Sequence, residues 1–158
     1  MRPEIEVLDH VNKQEKEQVR VWLSIMGIHS SIFAELNRKL SDQTGISLTK
    51  FDAMAQLDRY PEGISMGELS SALRVTNGNV SGLVSRLIKD DLVFREMSQE
   101  DRRSFRVKLT PTGKAKFAQA LKVHQDVLSD MFSKVAPEEL SNTVKMLRNL
   151  SSKLALEA

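Results

Sequence analysis

The chain has 158 residues, 41% of them hydrophobic and 28% charged, with four Pro and seven Gly, which suits a folded, largely helical single unit rather than a disordered one. Cysteine is absent, so disulfides, thiolate metal sites and thiol redox sensing are excluded. The net charge is only +2, so affinity for a polyanion has to come from local clustering, and the lack of any run near the ~18 apolar residues of a membrane span predicts a cytoplasmic protein.

In chain order, Val19, Trp22, Met26, Phe33, Leu36 and Leu40 alternate at three and four with His29 in the remaining place, which predicts one long amphipathic helix from about Glu15 to Asp42. Gly45 is suited to its left-handed cap. Thr49 with Asp52 has a capping-box pattern opening a second helix that carries Phe51, Met54, Ala55 and Leu57 and breaks at Tyr60-Pro61-Glu62-Gly63. Toward the other end, Thr110-Pro111 reads as an N-cap with proline at the first helical position, followed by Phe117, Leu121, His124, Leu128, Met131 and Val135 in one row. After Ala136-Pro137 a last helix carries Leu140, Val144, Leu147, Leu150 and Leu154. Such narrow seams pack either within one bundle or against a second copy, and the length of these terminal helices beside a small central unit favours the homodimer.

The centre reads differently. Ser65-Met66-Gly67-Glu68 forms a capping box for a short helix with Leu69, Ala72 and Leu73; a turn at Arg74-Val75 follows, and Thr76 caps a helix reaching about Lys89. Leu69, Leu73, Val75, Val80, Val84 and Leu87 are expected to share a core that angles the second helix outward, as in a helix-turn-helix. Its outward face holds Thr76, Asn77, Gly78, Asn79, Ser81, Gly82 and Ser85, small groups able to approach base edges and phosphates. Each glycine costs about 1 kcal/mol inside a helix, which close approach to DNA or tight packing on a neighbouring helix would explain. A strand at Leu92-Val93-Phe94-Arg95, a polar tip at 98–103 and the alternating Phe105-Arg106-Val107-Lys108-Leu109 predict a β-hairpin wing. From Arg102 to Lys108 there are four basic residues and no acid, a face suited to the negative potential of a narrow minor groove. The fold class is therefore mainly α with a small β-hairpin wing, and the DNA-binding candidates are Thr76, Asn77, Asn79, Ser81, Ser85, Arg86, Arg102, Arg103 and Arg106.

With Leu92-Val93, Asp101-Arg102-Arg103 and Leu109-Thr110-Pro111-Thr112-Gly113 the chain resembles the multiple antibiotic resistance regulator (MarR) family, whose wing signature is Asp, any residue, Arg, five residues, Leu-Thr. The resemblance implies one MarR-type domain over 1–158, with 1–48 and 111–158 as a helical dimerisation region and 49–110 as a winged helix-turn-helix lobe. It further implies a homodimer that meets a pseudo-palindromic operator in double-stranded DNA, Arg103 and Arg102 reaching the minor groove, and Asp101 bracing the wing by pairing with an arginine. Asp90-Asp91-Leu92 departs from it, since many relatives carry glycine before the leucine.

The resemblance also implies a small aromatic effector bound between the helical region and the winged lobe. Trp22, Met26, His29 and Phe33 supply a lipophilic surface with one polar group; the alternative for His29 is an ordinary core or interface position. Thr76 to Val84 looks like a subset of the family associated with aromatic-acid catabolism, some of whose members respond to coenzyme A thioesters, and Arg20, Arg38, Arg59 or Arg74 would then meet the anion. No cofactor, metal or catalysis is expected: a phosphate loop and a nucleophile motif are lacking, and the histidines at 10, 29 and 124 do not have metal-ligand spacing. Repressor is the expected mode, with an activator or an assembly module without DNA binding as alternatives.

Overall fold

The computed structural model describes residues 12–98 and 104–154. Its elements are α1 (Lys13–Thr44), α2 (Leu48–Arg59), β1 (Ile64–Ser65), α3 (Met66–Leu73), α4 (Asn77–Lys89), β2 (Val93–Met97), β3 (Phe105–Leu109), α5 (Pro111–Met131) and α6 (Pro137–Lys153). Six helices and a three-stranded antiparallel sheet of order β1-β3-β2 make the winged fold that the sequence predicts.

The helix boundaries follow from side chains that satisfy the orphan backbone groups of each terminus. Asn12 and Glu15 form a capping box that starts α1 earlier than expected, and Gly45 ends it in the left-handed region at φ 70°. The cap of α2 is Ser47, whose hydroxyl accepts from the Lys50 amide, and not Thr49. The reason is tertiary, because the Leu48 amide donates to Asn37 of α1 at 3.0 Å and draws the first turn toward that helix. Ser65 and Glu68 form the expected capping box on α3, and Thr76 and Thr110 cap α4 and α5 as predicted.

Leu40, Met54, Leu57, Leu69, Val80, Val84, Leu87, Val93 and Val107 fill the centre of the core. Of the predicted core, Val75 is 39% exposed and stays outside, Leu73 packs against the core while half-buried, and Leu83 joins it as a buried residue. The short β1 is absent from the sequence reading. It pairs Ile64 with Val107 and Ser65 with Arg106, and two residues are too few for an alternation to register. Asp91 adopts φ 57°, so the turn before β2 keeps the left-handed residue that glycine would otherwise supply; aspartate is among the side chains that tolerate it. Asp90 pairs with Lys50 of α2 at 2.6 Å.

The lobe is joined to α5 at Thr110. Its hydroxyl donates to the Asp91 carbonyl at 2.7 Å and accepts from the Gly113 amide at 2.8 Å, and its own amide donates to the Leu92 carbonyl at 3.0 Å. Gly113 packs directly on Leu92, where an added Cβ would meet the carbonyl group. Farther along α5, His124 stacks on Phe51 with ring centroids 4.6 Å apart. Burial pushes the His124 imidazole below its ordinary 6.5, partly offset by the charge of Asp52, and burial raises the Asp52 carboxyl above its ordinary 3.8, partly offset by His124.

Gly113→Ala is expected to destabilise by about 3 kcal/mol or more, because the obstacle is backbone rather than a movable side chain; thermal melting should show a fall in Tm of several degrees. The pH dependence follows from linkage. A lowered histidine is neutral in both states above about 6.5, and as pH falls the unfolded chain takes the proton first, so stability drops below that value. Aspartate acts in a lower window with the other sense: its raised value favours the fold fully below 3.8, and that stability is withdrawn as pH rises above it. Urea melts from pH 7.5 to 5 should therefore show wild type losing stability that His124→Gln does not lose.

Candidate nucleic-acid interface and adjoining cleft

The turn between α3 and α4 is held by Arg74, which closes α3 at φ 54°, and by Ser70, whose hydroxyl donates to the Val75 carbonyl at 2.6 Å. Thr76 then accepts from the Asn79 amide at 3.3 Å. These bonds fix the direction in which α4 leaves the core. One stripe of α4 buries Val80, Leu83, Val84 and Leu87. Asn77, Ser81 and Ser85 are exposed, and Ser85 returns its hydroxyl to the Ser81 carbonyl at 2.8 Å.

The remaining stripe looks into a cleft of about 760 Å³ lined by Gly78, Asn79, Gly82, Leu83 and Arg86 of α4, His29 and Phe33 of α1, Thr49 and Asp52 of α2, Leu73 of α3, and Val75. Gly78 and Gly82 acquire their reason here. A Cβ on Gly78 would meet nothing within 4 Å, and one on Gly82 would meet only the Arg86 guanidinium at 3.5 Å. Tight packing on a neighbouring helix is thus not what they serve; they keep the cleft wall flat.

His29 and Phe33 sit together, with ring centroids 5.8 Å apart. Trp22 does not join them, since seven residues of helix carry it about 10 Å along the axis. It lines a separate apolar groove of about 420 Å³ with Val21, Ile25, Leu150 and Leu154. Met26 is exposed and lines neither space. Of the arginines considered for an anion, Arg20 pairs with Glu17 and Arg38 with Glu35 and Asp42, and none of Arg20, Arg38, Arg59 and Arg74 lines the cleft. Arg86, read as a DNA contact, does line it. Thr49, Asp52, Leu73 and Val75 went unrecognised as lining residues, because three helices and a turn are needed to bring them together.

Both cations of β3 have partners. Lys108 pairs with Glu96 across the hairpin at 2.6 Å, and Arg106 donates to the Gly63 carbonyl at 2.8 Å. Phe105 shares the face of Val107 and Leu109, opposite Arg106 and Lys108, but is 49% exposed where those two are buried. Asp101, Arg102 and Arg103 lie outside the described residues. Among the described residues no helix is long and apolar enough to cross a membrane.

Residues 44–104 match the model of the MarR family. The chain is 33% identical over 113 residues to the HTH-type transcriptional repressor YetL of Bacillus subtilis, covering 71% of this chain and 68% of that one. It superimposes on a MarR family transcriptional regulator from Silicibacter pomeroyi with a TM-score of 0.80 at 45% identity, over 90% of this chain and 99% of the other. It shares the fold of an E. coli MarR mutant complexed with operator DNA, with a TM-score of 0.78 at 23% identity over 85% of this chain and 95% of that one. The chain belongs to the MarR family of winged-helix transcriptional regulators, which are DNA-binding proteins and not enzymes.

Proposed function

We propose that the chain is a ligand-responsive repressor that binds a pseudo-palindromic operator as a homodimer and is released from it by a small aromatic acid. The observation that carries this reading is that α4 offers Asn77, Ser81 and Ser85 outward while Gly78, Gly82 and Arg86 line the cleft. A ligand seated in the cleft therefore touches the helix that reads DNA, and its contacts differ between the positions that helix can take, which is what coupling requires.

The lining suits an aromatic acid. Phe33, Leu73, Val75 and Leu83 supply apolar surface, Arg86 a cation for a carboxylate, and Thr49, Asp52 and His29 polar partners on the opposite wall. A coenzyme A thioester would place its acyl ring in the same space.

Support for the dimer comes from apolar surface that one copy leaves uncovered. No residue of α6 is buried, and Trp22 (59% exposed), Ile28 (61%) and Met146 (71%) are large side chains in the two terminal helical regions. Such patches mark an interface. Two lobes about a twofold axis would meet half-sites about 34 Å apart. Repression is supported by the relatives described as repressors, YetL and the E. coli protein MprA. Arg103 is assigned to the minor groove and Asp101 to bracing the wing on the signature Asp-x-Arg alone, and Arg102 to the minor groove on its place in the basic run.

Titration of a fluorescent duplex from the DNA upstream of the gene should show tight, salt-dependent binding. Arg103→Ala should weaken it about ten- to hundred-fold; an unchanged affinity would remove Arg103 from the interface. In calorimetry, benzoate and its hydroxy derivatives should bind and lower DNA affinity. Phe33→Ala should bind the effector at least about ten-fold more weakly while holding DNA as wild type does, and an absence of heat with every acid and thioester would sink the effector reading alone.

A further inference from the structure

The described part of the hairpin carries three cations, Arg95, Arg106 and Lys108, in different surroundings. Lys108 is held by Glu96 and Arg106 by the Gly63 carbonyl. Arg95 is exposed and its side chain has no hydrogen-bond or ion-pair partner among the described residues. The register of the hairpin sets Arg95 opposite Val107 and Met97 opposite Phe105, so these four share one face of the sheet. Val107 is buried at its inner end, and the outer end overhangs as Arg95, Met97 and Phe105.

Arg95 and Phe105 of that overhang form one wall of a groove of about 360 Å³, with Ser104 beside Phe105, Ser81 of α4 opposite, and the start of α3 as its end. The start of α3 already has its own anion: the Glu68 carboxylate accepts from the Ser65 amide at 2.7 Å, and that bond holds its carboxyl below the usual range. The positive charge that the groove offers an incoming ligand is therefore Arg95. A groove that runs from the outward face of the reading helix to the wing, with one guanidinium unpaired among the described residues, three serines and an exposed ring, matches a polyanion with sugar surfaces between its charges.

We propose that this groove seats the sugar-phosphate backbone of duplex DNA, Arg95 gripping a phosphate beside Ser81 while Phe105 packs on the adjoining deoxyribose. This rests on the DNA-binding reading and adds to it a contact that the wing signature does not contain. It also assigns the sequence-independent grip to β2, not to the paired cations of β3. Phosphate contacts position a protein on DNA and set its salt dependence without reading sequence.

The test is the slope of log affinity against log salt, measured by anisotropy with the upstream duplex and with a mixed-sequence duplex of equal length. Arg95→Gln should lower the slope by about 0.9 for each arginine lost from the interface, on both duplexes alike. Arg95→Lys should retain the slope, and Phe105→Ala should weaken binding with the slope unchanged. Arg148→Gln, the same charge change on α6, should behave as wild type. The proposal is overturned if Arg95→Gln keeps the wild-type slope, or if Arg148→Gln lowers it equally, in which case net charge and not a seated phosphate is responsible; the DNA-binding reading survives either result. Wild-type protein that leaves both duplexes unbound would overturn the two together.

Discussion

The arrangement of the whole chain turns on the bonds that Thr110 makes where the winged lobe meets α5. Its hydroxyl serves two backbone groups at once, accepting from the Gly113 amide to start the helix and donating to the carbonyl of Asp91 at the end of α4. Thr110 is buried and its amide is used by Leu92, so three directional bonds define how the hairpin, α4 and α5 sit on one another. In a buried site each such bond is costly to leave unmade. Gly113 completes the joint by letting the helix approach Leu92 without a side chain between them. Movement of the lobe relative to the long helices therefore has to go around this joint, not through it.

On the far side of that joint, α4 has to satisfy three environments within 13 residues. A helix with 3.6 residues per turn divides cleanly into stripes, and here one stripe is aliphatic, one is small and polar, and one is nearly bare. The bare stripe gives this helix a second surface beside the polar one, turned toward α1 and α2. Filling Gly78 and Gly82 with side chains would favour the helix by about 1 kcal/mol each, and the glycines keep open the cleft wall formed with α1 and α2. Local stability is given up where space is needed, which is the pattern expected at a functional site.

Electrostatics follow the same local logic. With a net charge of +2 the protein cannot rely on its overall field to meet DNA, so the placement of individual cations decides. Ion pairing within the hairpin takes Lys108 out of play, and the Gly63 carbonyl holds Arg106 at the β1 edge. Glu96 and Glu68 stand near the stretch that reads as free of acid along the chain. Two cations adjacent in sequence alternation are neighbours on one face of a strand, but whether they act outward depends on what the next strand places beside them.

Much of the fold was legible in local chemistry. Capping residues at Ser65, Thr76 and Thr110, the glycine after α1, the proline opening α5 and the alternation of Phe105 to Leu109 determine where elements begin and end, because each signal acts within one turn or one strand pair. The helix-turn-helix order and the wing signature determined the family by the same short-range means. The tertiary structure alone decided the rest. Asn37 moved the cap of α2 to Ser47 by reaching across eleven residues, β1 exists only because β3 lies beside it, Trp22 parted from His29 and Phe33, and the cleft assembled from Thr49, Asp52, Val75 and Arg86. A helical period states which residues share a face; which partner that face meets depends on contacts made far along the chain, and those only the packed molecule specifies.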